Sequence, residues 1–550
     1  MFALLSVTVN GRRALADKLH LENLELRELL HHLSTLPEPE AYDIFQRLRL
    51  VDDPIDLALS IRQAELLLPI GASEDSDKLT TMQGLEFGAL GGSPVNVPAR
   101  PWTTVAGDGI VSELISAWFK WDTEPQNAKY CSPFLVNAIC ALRSYFSETV
   151  DTIQRVTKQD MREQFLSETK KQYDHGLPAL PAIQGLCILF AISCLKGEDR
   201  DGSLYRFASY GMLERFKMKQ TFSSLTDTNP ESVLNQRAIS KTMWGVFCLE
   251  SIISTNFRHP NILQPPKVPC PFPEFDYKNA VNVDIFGETF TDSSPAPPFV
   301  TGAINVFCQV AMLMSDILTQ GQDCKDNEDT GMGDRTNLIE KGELMARLNA
   351  ISDSLPSALR HDYNFTPETC FLRIAMNTAV HAILRPLHPR AVLDEMNGMT
   401  VKSLMLKNCA LDIELMERYF EEWPTGEFST MVMIGPLKSG AVLLPLLPDE
   451  EAVHMFPRVC RLMRKVATRM PIARYVMKGW ETAIWSRELE MPGPAQPYFQ
   501  NLGAESEDLQ DIPTRLVVAH IPSIVDMPTN EWDDGELGFL LQKCNARNIE

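Results

Sequence analysis

Apolar side chains recur at three- and four-residue steps along most of this chain, and that period dictates helices. The segments LMLKNCALDIELMERYFEEW at 404–423 and RVCRLMRKVATRM at 458–470 both carry it. So does the stretch from Arg13 to Leu36, where Leu15, Leu19, Leu26, Leu29, Leu30, Leu33 and Leu36 stand among Glu, Arg and His. The run GLCILFAISCL at 185–195 is apolar on every side, which marks a helix buried in a core; it is about half the length a bilayer span requires. The fold class read from these patterns is all-α. With 550 residues and 44% apolar content, the chain has material for roughly two to four domain-sized cores.

Breaks in the pattern divide the chain into five parts. Residues 1–70 read as a Leu-rich helical arm, interrupted at Pro37-Glu38-Pro39-Glu40 and resumed by AYDIFQRLRLVDDP up to Pro54. Too few heptads are present to settle a coiled coil, so the arm fits a dimer helix and packing within its own domain equally. Residues 71–100 are rich in Gly, Ser, Asp and Pro and read as a linker. A central helical region follows at 101–400, a helical extension at 401–490 and a tail at 491–550, with Pro492 to Pro497 ending the helical body. In the tail, GAESEDLQDIP and TNEWDDGELGFLL interleave acids with Trp532, Leu537, Phe539 and Leu540. Acids keep such a segment disordered while the apolar residues stay available to a coactivator groove; an ordinary disordered tail has the same composition.

Charge and cysteine spacing exclude several function classes. A formal charge of -21 argues against a broad phosphate-binding surface, which draws on clustered Lys and Arg. The most basic short run, RLMRK at 461–465, is one face of an amphipathic helix. The twelve cysteines contain no C-x-x-C pair, so no zinc knuckle is formed from short loops, and no metal or cofactor is expected in this chain. Most lie in apolar helical stretches as small hydrophobes, consistent with a reducing compartment. Neither a nucleophile elbow, a Walker loop nor a dinucleotide fingerprint is present; GALGGSP at 88–94 has the wrong spacing. Asp52-Asp53 and Asp533-Asp534 are not placed as magnesium boxes, and His381 and His388 are separated by Pro386. The chain is read as a non-enzyme, with no membrane partner.

The stretch from Tyr205 to Pro273 is the most distinctive. It reads YRFASYGMLERFKMKQ, a polar break, RAISKTMWGVFCLESIISTNFRHP and an exit ending in PCPFP. It resembles the middle homology region of fungal zinc-cluster transcription factors, as do VSELISAWFKWD at 111–122 and YCSPFLVNAICALRSYFSE at 130–148, which are joined here by an unusually short segment. By that resemblance 101–400 is the middle homology region. Gly197 ends its core helix, Tyr205, Ala208, Met212 and Leu213 line the next, and Trp244 matches the family's tryptophan. Glu250 replaces a frequent aspartate and is expected to pair with Arg237 or Arg258; Arg258 and Pro260 match the Arg-Pro turn, and Arg385 and Pro386 the end of a closing helix. These residues are structural by implication, and no catalytic, cofactor or metal residue is carried over.

The resemblance implies a multi-helical regulatory domain with an acidic tail, acting in the nucleus as the effector-responsive body of an RNA polymerase II activator. Its implied partners are the transcription machinery or a coactivator and a second subunit, homo- or heterodimeric. The family's six-cysteine cluster is not in this sequence. Zinc is therefore expected only in a preceding head, and DNA contact only through such a head or through a partner's cluster. Two other readings stay open: a headless partner or inhibitor of zinc-cluster factors, and a helical enzyme or scaffold.

Overall fold

The computed structural model describes residues 76–121, 131–173, 179–221, 230–257, 261–272, 274–275, 283–284, 298–323, 333–393, 398–423, 428–500 and 502. Fifteen α-helices are found among them. The first eight are α1 (Ser76–Gly92), α2 (Asp108–Trp121), α3 (Pro133–Ser144), α4 (Glu148–Thr157), α5 (Met161–Gln172), α6 (Leu180–Lys196), α7 (Asp199–Thr221) and α8 (Pro230–Phe257). The rest are α9 (Ala303–Asp323), α10 (Gly333–Asp353), α11 (Pro367–Leu384), α12 (Val401–Glu422), α13 (Ile434–Leu443), α14 (Glu450–Val466) and α15 (Ile472–Ser486). Extended structure among the described residues is confined to β1 (Val283–Asp284) and β2 (Pro298–Phe299), an antiparallel pair with Val283 opposite Phe299, and one isolated bridge. The fold is all-α, as the periodicity predicts. The Leu-rich arm, and the tail apart from residues 491–500 and 502, lie outside the described residues.

Two units are distinguished: one reaches Glu113 and includes Ile153–Gln159, the other holds Leu114–Thr152 and everything from Asp160 onward. In the first, the expected linker at 71–100 contains α1, which corrects that reading. The Ser and Pro residues lie toward the ends of the stretch, and although Gly84 and Gly88 fall between them, the other residues of Lys78–Leu90 can support a helix. Tertiary contacts then fix it. The Glu86 carboxylate accepts from the backbone N–H of Gly107 (2.9 Å) and Ile110 (3.1 Å), capping the start of α2. A Cβ at Gly109 would fall 2.0 Å from the Glu86 carbonyl oxygen, so the approach requires glycine there.

In the second unit, α3 opens on an N-cap: Ser132 Oγ accepts from the Leu135 N–H at 3.1 Å, with Pro133 at the first helical position. The helix α3 packs on α5 and α6, and α6 forms a hairpin with α7. Ile183, Leu186, Ile188, Leu189, Phe190, Ile192 and Leu195 of α6 are all buried, as its apolar circumference predicts. Gly197 ends α6 in the left-handed region, φ 87°, and a Cβ there would meet the Tyr475 ring at 2.8 Å. The next helix, α7, buries Met212 and Leu213 and half-buries Tyr205 and Ala208. The helix runs on to Thr221.

A continuous cluster joins α9, α10, α11 and the start of α12 through Val310, Leu313, Met314, Leu344, Leu348, Leu372, Met376, Ile383 and Val401. Residues 303–320 are long and apolar enough to cross a membrane by composition alone, but this helix puts Val310, Leu313, Met314 and Ile317 into that core. The cluster reaches past residue 400, so packing does not break at the expected boundary between central region and extension. Nor does it stop at Pro492. A 3₁₀ helix at Gly493–Tyr498 follows, Ala495 and Leu502 are buried, and Phe499 stacks on Phe456 of α14 at 6.3 Å. That ring contact extends the packed body beyond the boundary the prolines suggested.

Candidate functional site

Two buried polar centres interrupt the apolar core of the second unit, and the first is built around Glu250 of α8. This carboxylate has no solvent exposure. Its Oε2 accepts from the Tyr210 hydroxyl and lies 3.9 Å from Arg206 Nε, both on α7. Its Oε1 accepts from Ser254 Oγ at 2.8 Å and from the backbone N–H of Ile262 at 2.9 Å. A buried charge persists only where partners of this kind replace water. Burial and the Glu250 charge push the Tyr210 phenol far above its ordinary pKa, so it remains a donor. The Arg206 guanidinium spreads over Phe207 (5.0 Å), Phe190 (5.7 Å) and Tyr210 (5.9 Å).

The expected cation was Arg237 or Arg258. Arg237 is exposed, Arg258 lies outside the described residues, and Arg206 supplies the charge. Arg206 and Tyr210 are one helical turn apart, on the face of α7 that also buries Ser209 and Leu213. A cation at the buried spacing of a helix next to an apolar hairpin is a readable signal.

Through Ile262 this centre holds the segment 261–272, NILQPPKVPCPF, which four prolines bar from regular helix or sheet. Side chains of the flanking helices take up its backbone groups. Trp244 Nε1 donates to the Val268 carbonyl (3.1 Å) and Asn305 Nδ2 to the Phe272 carbonyl (3.0 Å), while the strap's own Asn261 Nδ2 donates to Ser251 Oγ of α8 (3.0 Å). Trp244 itself is buried and meets Phe247 edge to face at 6.0 Å. The segment is thus a strap whose carbonyls depend on named side chains.

The second centre joins three helices. Asp412 of α12, fully buried, lies 2.5 Å from Lys438 Nζ of α13 and accepts from Asn377 Nδ2 of α11 at 2.7 Å. Lys438 also reaches Thr378 Oγ1 at 3.3 Å and the Ile374 carbonyl at 3.4 Å. Burial raises the Asp412 pKa, and the Lys438 ammonium and Asn377 work against that rise. His381 is buried one turn beyond Asn377. Burial, and then the Lys438 charge, hold its imidazole well below the usual histidine range and therefore neutral. His388 is exposed, so the two histidines form no joint site. Nothing in the periodicity distinguishes Asn377, Asp412 or Lys438 from surface residues of an amphipathic helix.

Of the other expected residues, Arg385 caps the end of α11 through its N–H to the His381 carbonyl (3.0 Å) and is exposed, as is Pro386. Pro260, Trp532, Leu537, Phe539 and Leu540 lie outside the described residues. An apolar gap lined by Ile252, Met314, Phe371, Ile374, Ala375, Thr378, Met431 and Ile434 has room for little more than a water molecule. No group of three or more His, Cys, Asp or Glu is placed to hold a metal ion among the described residues.

These centres frame a region with known relatives. Residues 112–348 match the fungal specific transcription factor domain, and the chain carries that domain. The Glu250 centre and the strap fall inside it; the Asp412 centre falls beyond its end. Among curated proteins, the chain is 27% identical over 198 residues to the notoamide biosynthesis transcriptional activator notL' of Aspergillus versicolor, covering 32% of this chain and 31% of that protein. It is 22% identical over 385 residues to the nitrogen assimilation transcription factor nit-4 of Neurospora crassa, covering 55% and 34% respectively. The matches span about a third of the length of these curated relatives. No solved structure matches the chain significantly.

Proposed function

We infer that this chain is the regulatory body of a fungal activator of RNA polymerase II transcription, of the zinc-cluster type, and that it acts in the nucleus without catalysing a reaction. The observation that carries this reading is the match at 112–348, which coincides with an all-helical core and with the Trp244 and Glu250 positions holding the strap. Both named relatives are transcription factors. The side chains at both buried centres are occupied with one another, a disposition suited to holding a shape and not to attacking a substrate.

In this reading the body carries the acidic tail to a coactivator, DNA is reached through a zinc cluster on the same or a partner polypeptide, and zinc belongs to that cluster alone. The test is a fusion of the chain to a foreign DNA-binding domain in a fungal nucleus. Reporter transcription above that of the DNA-binding domain alone is expected, together with its loss on changing Trp532, Phe539 and Leu540 to Ala. An intact fusion that reaches the nucleus and gives no signal would overturn the activator reading and favour an inhibitor or partner.

A further inference from the structure

Three cysteines far apart in sequence converge under the strap. Cys248 of α8 and Cys308 of α9 are buried, with their sulfurs 3.6 Å apart. Cys270, on the strap, is half-buried and near enough to Cys308 for the two thiols to bear on each other's ionisation. Asn305 Nδ2 lies 3.8 Å from the Cys270 sulfur and also donates to the Phe272 carbonyl two residues on. Cys308 therefore stands between one thiol that solvent reaches and one that it does not. A disulfide requires sulfurs about 2 Å apart, so a modest side-chain movement separates Cys248 and Cys308 from bonding distance. The separation of 22 and 38 residues between successive members, 248 to 270 and 270 to 308, hides the group from any reading by motif.

We propose that Cys248, Cys270 and Cys308 form an oxidant-responsive thiol site that closes a disulfide at Cys308 and so fastens first the strap, and after exchange α8, to α9. This goes beyond the transcriptional reading and does not depend on it. With a peroxide as oxidant, the Cys270 thiol takes up one oxygen and becomes a sulfenic acid, releasing water or the corresponding alcohol. The Cys308 thiol then attacks that sulfur, a second water leaves, and the Cys270–Cys308 disulfide forms. Two thiols lose two electrons in all, and the peroxide accepts them. Attack by Cys248 on the Cys308 sulfur moves the bond to Cys248–Cys308 and returns Cys270 as a thiol.

Burial sets the threshold. It raises the Cys270 pKa to about 11, while the contact with Cys248, together with burial, pushes Cys308 higher still, so little thiolate is present at neutral pH and the site stays reduced under ordinary conditions. The reaction should accelerate about tenfold per pH unit between pH 7 and 9, because thiolate is the reacting form.

The test uses the purified full chain, treated with hydrogen peroxide while folded, then alkylated under denaturing conditions and mapped by mass spectrometry with and without reductant. Expected is a peptide pair joined through Cys308 to Cys270 or Cys248, lighter by two hydrogens and separated by reductant. The nine cysteines outside the site and the unpaired one of the three should be alkylated. Cys270→Ser, at a half-exposed position, should leave the fold intact by circular dichroism while abolishing the Cys270 link and slowing any Cys248–Cys308 bond. Cys308→Ala should remove both links. Oxidation that joins other cysteines first, or a folded chain whose Cys308 stays free while Cys270 is driven to sulfinic acid, would overturn the proposal.

Discussion

Glu250 and Asp412 are both fully buried carboxylates in an all-helical body, and they are neutralised in different ways. Asp412 meets an ammonium directly and ties three helices that are regular without it. Glu250 meets a cation only at 3.9 Å and relies on a phenol, a hydroxyl and a backbone N–H, the last belonging to a strap that cannot pair with itself. The lesson is that equal burial does not mean equal duty. One carboxylate fixes the register of helices; the other, inside the matched domain, holds an irregular segment in place.

The largest expected effect comes from breaking the direct pair. Lys438→Met leaves Asp412 buried without its cation and should cost about 3–5 kcal/mol in chemical unfolding, whereas adding Asp412→Leu should recover much of the loss. No recovery would mean that the centre stabilises by more than charge neutralisation. Glu250→Gln retains the side-chain length and should cost less, about 1–3 kcal/mol, through poorer acceptance from Tyr210 and Ile262.

Trp244→Phe keeps the ring against Phe247 and loses the donor to Val268, for about 0.5–1.5 kcal/mol, with protease cleavage appearing within 261–272. The smallest effect is one of pH. His381 has a folded pKa below its unfolded value near 6.5, so the unfolded chain binds the extra proton first and stability falls as pH drops below about 6.5. Glu368, raised to about 7 by burial, works in the opposite direction over the same range, so the comparison must be with His381→Gln. Between pH 7 and 5 the wild type should lose more stability than that variant; parallel curves would contradict the assignment.

Much of the body was legible because helices announce themselves by period. Ile239, Met243, Val246, Phe247, Glu250 and Ile253 are buried along α8 at helical steps, and Gly197 stops α6 where a left-handed residue is needed. What escaped the sequence was set by distance along the chain. The contact from Arg206 to Glu250 spans more than forty residues, and that from Asp412 to Lys438 joins two successive helices, α12 and α13. Composition misled at 71–100, where a capping carboxylate, Glu86, gives a helix tertiary support that glycine content alone conceals. At Phe499 a ring contact likewise extends the body past Pro492, Pro494 and Pro497.

The most direct measurement is amide hydrogen exchange across the folded chain, compared between wild type and Glu250→Gln. The account predicts faster exchange at Ile262 and the neighbouring non-proline amides of 261–272, with α11, α12 and α13 around Asp412 unchanged. Equal acceleration in both regions, or none in the strap, would contradict the division of labour between the two carboxylates.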